Sequence, residues 1–172
     1  MEDLQVKNET YFFHQTPPEL CEKLIKFVDL EDGDMVHEPF RGEGGFYNCF
    51  PKNTIKTWTE IRENQCYLSH TEKVDWTITN PPFRIETGTK RVNSFFYLLQ
   101  HFMKLSNKGV AFLANSNCWS AFTPKRVSEF NQEGWFIHKV VVCAVKKWSG
   151  RYYFIIFKKQ PCALFEPLIG NY

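Results

Sequence analysis

Apolar residues recur at helical spacing early in the chain. Leu20, Leu24, Ile25 and Val28 share one face behind Thr16-Pro17-Pro18-Glu19. This predicts a helix over 17–27, with Thr16 as N-cap and Glu19 completing a capping box. Short apolar runs then alternate with helical patterns. Met35–His37, Ile55–Thr59, Trp76–Thr79 and Gly109–Ala114 read as buried strands, and Cys66–Leu68 as a short edge strand. Phe95, Leu98, Leu99, Phe102 and Met103 form a buried helical stripe capped by Asn93 or Ser94, and 125–132 is a short amphipathic helix. Two further strands, His138–Val145 and Tyr152–Lys158, flank a polar turn and predict a closing β-hairpin. Segments 84–91 and 115–124 are expected to be loops. The alternation predicts one α/β domain over 1–172. It is a Rossmann-like, mostly parallel sheet of seven strands or slightly fewer, with helices on both faces and an antiparallel hairpin at its end.

Composition adds limits rather than direction. The net charge of +2 carries no overall polyanion-binding signature, so only local clustering of cations matters. Six scattered cysteines without a C-x-x-C pair support neither a zinc nor a redox motif, and no metal site is expected. Aromatic residues make up 17% of the chain, which suits a flat ligand but is explained mostly by a Phe-rich core. Met1 is followed by acidic and polar residues, and no apolar run approaches the roughly 20 residues that span a bilayer. The expectation is a soluble intracellular protein, cytoplasmic or, in a eukaryotic or viral setting, nuclear.

Chemistry concentrates at Asp75–Phe83. The strand Trp76–Thr79 runs into Asn80-Pro81-Pro82-Phe83. Asn80 offers a side-chain carbonyl, two consecutive prolines stiffen the backbone and donate nothing, and Phe83 supplies a flat apolar face. Rigid acceptors beside an aromatic plate suit a planar amino group such as the exocyclic amine of a nucleobase. Upstream, the strand ending in Glu38 leads into Pro39-Phe40-Arg41-Gly42-Glu43-Gly44, a glycine turn that lets backbone N–H groups approach a nucleoside-type ligand. It lacks a Walker lysine and the longer phosphate fingerprint. Glu60 stands 22 residues after Glu38 at the end of the next strand, near the spacing of about 20 for an acid that holds a ribose diol.

Thr16-Pro17, Glu38-Pro39-Phe40-x-Gly42-x-Gly44 and Asn80-Pro81-Pro82-Phe83, in that order, resemble the motifs of the class I S-adenosylmethionine-dependent methyltransferases. The closer resemblance is to the N6-adenine DNA methyltransferases, in a compact form without a large target-recognition domain. That resemblance implies S-adenosyl-L-methionine as cofactor. Pro39, Phe40, Gly42 and Gly44 would line its methionine part, and Glu38 would lie near its amine. Gln15 and Thr16 would sit at its amino-acid end, and Glu60 would bind the ribose. Ile61, Tyr67 and the Pro82 side would hold its adenine. Cys66 stands where such enzymes often carry an Asp, and a thiol is a poor acceptor for the adenine amine.

The chemistry the resemblance implies is also physically coherent. Acceptors at Asn80 Oδ1 and the Pro81 carbonyl would bond both amine hydrogens and free the nitrogen lone pair for in-line attack on the sulfonium methyl. Phe83 would stack on the base, and a duplex target would be flipped out. A carbon-methylating reading through Pro161-Cys162 fails, because that pair follows the last strand.

In such a fold the rim bearing the site would also carry Arg41, Arg84, Lys90, Arg91, Lys125, Arg126, Lys146, Lys147 and Arg151, against the acids Glu43 and Glu86. Trp119 and Trp148 lie in the same loops and would stack on bases. DNA is the expected partner, RNA a possible one, with no membrane and with a homodimer or partner subunit available to supply specificity. RNA adenine, a protein glutamine, or a non-catalytic nucleic-acid-binding role are the alternatives. The small size suits a phage- or virus-type enzyme.

Overall fold

A computed structural model describes residues 15–87, 90–162 and 164–168, with the backbone alone at 84, 86–87 and 90–93. In chain order the elements are α1 (Pro18–Ile25), β1 (Met35–Glu38), β2 (Ile55–Trp58), β3 (Val74–Thr79), β4 (Arg84–Thr87), β5 (Lys90–Asn93), α2 (Ser94–Leu105), β6 (Ser106–Asn115), α3 (Pro124–Gln132), β7 (Phe136–Cys143) and β8 (Tyr152–Lys158). Six strands make one sheet in the order β2-β1-β3-β6-β8-β7, and β4 and β5 form a separate antiparallel pair.

The sheet is buried on both faces, and the period-two alternation of its strands shows how. Val110, Phe112 and Ala114 of β6 face one cluster with Leu98, Leu99 and Phe102 of α2 and with Phe130 of α3. Ala111 and Leu113 face the other, with Leu24 of α1, Phe46 and Phe50. Gly109 is required where it stands, since a Cβ there would overlap the Trp76 ring of the neighbouring strand.

Pairings β1–β2, β1–β3 and β3–β6 are parallel, and β8 runs antiparallel to both β6 and β7. The reversal of β8 alone has a positional consequence. Tyr152, its first residue, pairs with Asn115 and Cys143, the last residues of β6 and β7. The 144–151 turn therefore lies on the same rim as the carboxyl end of β3, where the Asn80 corner begins.

Four local expectations are corrected. Thr16 does not cap α1: the cap position is Pro17 and has no side-chain capping bond. The reason is steric: Pro18 pushes the residue before it out of the α region, so Pro17 is extended with ψ of 132° and itself takes the cap position. Cys66–Leu68 is not a strand but leads into a 3-10 turn over Tyr67–Ser69, which leaves β2 at the sheet edge and the count at six. The 84–91 loop is replaced by the β4–β5 ribbon, and 115–124 contains a 3-10 helix over Ser116–Ala121. Boundaries elsewhere move by a few residues, most for β6, which begins at Ser106, and β7, which ends at Cys143.

Candidate active site

Three segments far apart in the chain meet at the carboxyl ends of β1 and β3. Asn80 Nδ2 donates to Thr16 Oγ1 at 3.2 Å, across 64 residues of sequence. The bond distinguishes the two ends of the amide: its nitrogen is engaged by Thr16, so its oxygen is the acceptor end. Beyond it the corner is tied to α2. The Ser94 hydroxyl donates to the Pro82 carbonyl and the Ser94 N–H to the Phe83 carbonyl at 3.4 Å. Ser94 is fully buried, and Pro81 is buried beside it. Phe83 is 37% exposed. The two prolines and these bonds hold the corner rigid without consuming the Pro81 carbonyl.

The glycine turn is built by two acids. Gly42 and Gly44 have φ of 55° and 87°, the left-handed region that L side chains avoid. The Gly42 N–H donates to Glu60 Oε2 at 2.6 Å, and the other Glu60 oxygen accepts from Arg62 N and Nε at 3.1 Å. Glu60 is buried and its carboxylate holds the turn in shape, a role that spacing alone did not reveal. Glu38 is buried under the same turn, and its Oε2 accepts from Tyr47 N at 2.6 Å. Burial pushes its carboxyl up to about 8, and the backbone N–H groups of Tyr47 and Phe46 offset only part of that. Gly45 packs so closely that a Cβ would sit 3.1 Å from the Thr16 carbonyl and 3.2 Å from Gln15 Nε2.

At this point lies a small, partly open cleft of about 20 Å³, lined by Gln15, Thr16, Glu38, Phe40, Arg41, Gly45 and Asn80. A buried acid that readily holds a proton, a glycine turn and a fixed amide thus share one cavity. Pro39 is buried behind it, and its carbonyl accepts from Thr59 Oγ1 at 2.8 Å. The donor set suits a zwitterionic amino-acid end, with Glu38 toward an ammonium. No His/Cys/Asp/Glu group able to hold a metal occurs among the described residues.

The expected adenine side is arranged differently. Ile61 is 43% exposed and Cys66 half-buried. Tyr67 is half-buried, its ring 5.3 Å from Phe40 and 5.4 Å from His101, and burial pushes its hydroxyl up to about 12. A second pair that the motifs did not indicate lies on β1. His37 of β1 stacks on His70 at 3.9 Å and shares a hydrogen bond with Thr57 Oγ1 through Nδ1.

The expected cationic residues divide. Lys146, Lys147 and Arg151 are exposed in the 144–151 turn, and Lys125 is exposed with a 3.9 Å pair to Glu129. Arg41 is paired to Glu63 and lies over Trp58. Arg126 packs over Phe96 and donates to the Ala121 carbonyl at 3.2 Å. Trp119 is partly buried, stacking on Phe165 and meeting Tyr153 edge-on against the core. Trp148 is half-buried against Tyr152, 4.7 Å between rings. The backbone at 84 and 90–91 lies in the β4–β5 ribbon.

No family model and no curated relative matches this sequence. Solved structures do match. A Listeria monocytogenes protein put forward as a class I S-adenosylmethionine-dependent methyltransferase superposes with a TM-score of 0.65 at 11% identity, over 87% of this chain and 61% of that one. The type I restriction-modification methyltransferase subunit of Streptococcus thermophilus gives 0.62 at 15% identity, over 87% and 45%. Magnesium protoporphyrin IX methyltransferase from Synechocystis PCC 6803, solved with bound SAM, gives 0.56 at 12%, over 83% and 77%. The chain thus spans less than two thirds of the first two. At these identities the shared property is the architecture: this chain has the fold of the class I S-adenosylmethionine-dependent methyltransferases.

Proposed function

We propose that the protein transfers a methyl group from S-adenosyl-L-methionine to the N6 amine of adenine in DNA. The observation that carries this reading is the bond between Asn80 and Thr16, which joins the amine-binding corner to the cleft lined by Glu38 and the glycine turn. In this reading Gln15, Thr16 and Glu38 hold the amino-acid end of the cofactor, while Phe40, Gly42 and Gly44 contact its chain. Glu60 acts by shaping the turn, and its remaining lone pairs face the ribose. The adenine lies on Ile61, near Cys66.

The substrate amine sits between Asn80 Oδ1 and the Pro81 carbonyl. Ser94 takes the Pro82 carbonyl, so Pro81 supplies the backbone acceptor. Two acceptors on the two amine hydrogens draw the nitrogen toward tetrahedral geometry and leave its lone pair available; with S-adenosyl-L-methionine bound, that lone pair would take the methyl as the S–CH3 bond breaks and the neutral thioether departs. The methylated amine is acidic and releases its proton without a strong base. Positioning and fixed dipoles supply the rate. Phe83 stacks on the base, which leaves its helix to reach the corner. The cofactor supplies an electrophilic methyl on sulfonium.

A second reading keeps the corner and changes the polymer, to RNA adenine or a protein glutamine. Transfer of labelled methyl to DNA, RNA and protein compared in one assay decides. Label on DNA alone supports the first reading, and label on RNA or protein alone overturns it. Cofactor binding without transfer to any polymer would instead favour a non-catalytic subunit.

A further inference from the structure

The cations of this chain are unevenly placed, and the structure separates those that are neutralised from those that are not. Residues 134–165 contain Lys139, Lys146, Lys147, Arg151, Lys158 and Lys159 and no Asp or Glu. They carry +6 in a chain of +2, so the other 140 residues sum to −4. At the rim opposite the site, two lysines are held by carboxylates and a third by a carbonyl. Lys158 pairs with Asp29 at 3.0 Å, Lys108 pairs with Asp34 at 2.6 Å and with Glu31, and Lys139 donates to the Phe27 carbonyl. At the site rim, Lys146, Lys147 and Arg151 are exposed and have no ion-pair partner among the described residues.

The segment that bears them is anchored. Val145 is buried, the Trp148 N–H donates to its carbonyl at 2.9 Å, and the Trp148 ring packs on Tyr152. Gly150 turns the chain with φ of 87°. Three exposed cations are therefore presented on the rim that carries the Asn80 corner, on an anchored turn whose residues 144–151 include no Asp or Glu.

We infer that the 144–151 turn is a phosphate grip for the DNA strand that carries the target base. The inference rests on the nucleic-acid reading above and adds where the polymer is held. The turn joins β7 and β8, which lie two to three strands from β3 in the sheet. At about 4.8 Å per strand this places the grip roughly 10–14 Å from the corner. A stacked strand advances about 3.4 Å per nucleotide, so the phosphates held are about three or four nucleotides from the target. Lys146, Lys147 and Arg151 provide point charges and one planar fork, which neutralise phosphates without reading sequence. The grip supplies affinity and register, and the corner supplies chemistry.

The test combines salt dependence with substrate length. DNA binding of the wild-type chain, of Lys146→Gln/Lys147→Gln/Arg151→Gln, and of a Lys52→Gln control is measured by anisotropy across salt concentrations. Each phosphate contact contributes about 0.7 to 0.9 to the slope of log affinity against log salt, so the triple variant is expected to lose about 2 to 2.7 of it. The control loses none. Methyl transfer to a 14-mer falls in the triple variant, whereas transfer to an adenine-containing trinucleotide, too short to reach the grip, is unchanged. An unchanged slope in a folded triple variant overturns the grip while leaving the methylation reading intact. Equal loss on the trinucleotide also overturns it. The slope loss seen on RNA but not DNA overturns the DNA assignment. A wild-type chain that methylates no DNA fails the function reading, and one that binds no DNA fails the grip.

Discussion

Asn80 Nδ2 donates to the hydroxyl of Thr16 at 3.2 Å, a bond that turns the amide nitrogen toward Thr16 and its oxygen the other way. Removing Asn80 and removing its orientation are therefore different experiments. Asn80→Ala deletes an acceptor aimed at the reacting amine and is expected to lower kcat by about 10²–10³-fold. Thr16→Val keeps the shape and deletes the partner, a loss of about 1 kcal/mol or several-fold in kcat. Steady-state methyl transfer checks both. A Thr16→Val enzyme as impaired as Asn80→Ala would show that Thr16 does more than orient.

The turn at Gly42 depends on Glu60 by the same logic. Glu60→Ala leaves the buried Gly42 N–H without its acceptor, at a cost of about 1–3 kcal/mol, and Glu60→Gln restores an acceptor without the charge. Thermal melting is expected to show a clear drop for the alanine variant and recovery for the glutamine variant. Gly42→Ala forces a side chain into the left-handed region and costs about 1 kcal/mol.

Glu38 links the cofactor to pH. Its carboxyl, pushed up to about 8 by burial, is mostly protonated at pH 7 in the empty protein. Its folded value lies above its ordinary one, so the stability it contributes is present at low pH and lost as pH rises through about 8. Glu38→Gln removes that loss. An ammonium arriving beside Glu38 lowers its pKa, so cofactor binding at pH 7 releases up to about one proton. Calorimetry in buffers of different ionisation enthalpy measures it, and no proton release would place the ammonium elsewhere.

The histidine stack sets the acid limit. Burial pulls His37 down to about 3 and also lowers His70 and His101. Each folded value lies below the ordinary one, so the unfolded chain binds more protons below about pH 6.5 and stability falls as pH drops from there. His37, whose folded value lies far below this range, adds a slope approaching about 1.4 kcal/mol per pH unit, and His70 and His101 act in the same direction. Denaturant titrations from pH 7 to pH 5 are expected to show a shallower loss for His37→Gln than for the native chain.

Much of this site is legible in the sequence, for physical reasons that also explain the exceptions. Strands β1, β3 and β6 are largely apolar runs ending at Glu38, Thr79 and Asn115, and such runs have few alternatives in an α/β chain. Thr16 is different. Its neighbours read as a helix start, but Pro18 keeps Pro17 extended and moves the start one residue on, and the Thr16 hydroxyl accepts from Asn80 instead. The ribbon at 84–93 has a signal that is easily overlooked: Ile85, Thr87 and Val92 alternate with polar residues on either side of Gly88. Cys66–Leu68 is too short for periodicity to separate a strand from a 3-10 turn. The pairings of Trp119 with Phe165 and of Arg126 with Phe96 depend on tertiary contacts between distant segments, which no local pattern records.

The central claim is that the Asn80 corner methylates an adenine amine in DNA. DNA incubated with the purified chain and S-adenosyl-L-methionine, then digested to nucleosides, gives the most direct measurement. The expected result is N6-methyldeoxyadenosine with the wild-type chain and at least a hundredfold less with Asn80→Ala. Wild-type protein that binds the cofactor yet leaves every deoxyadenosine unmodified, or an Asn80→Ala variant that methylates as well as wild type, would contradict it.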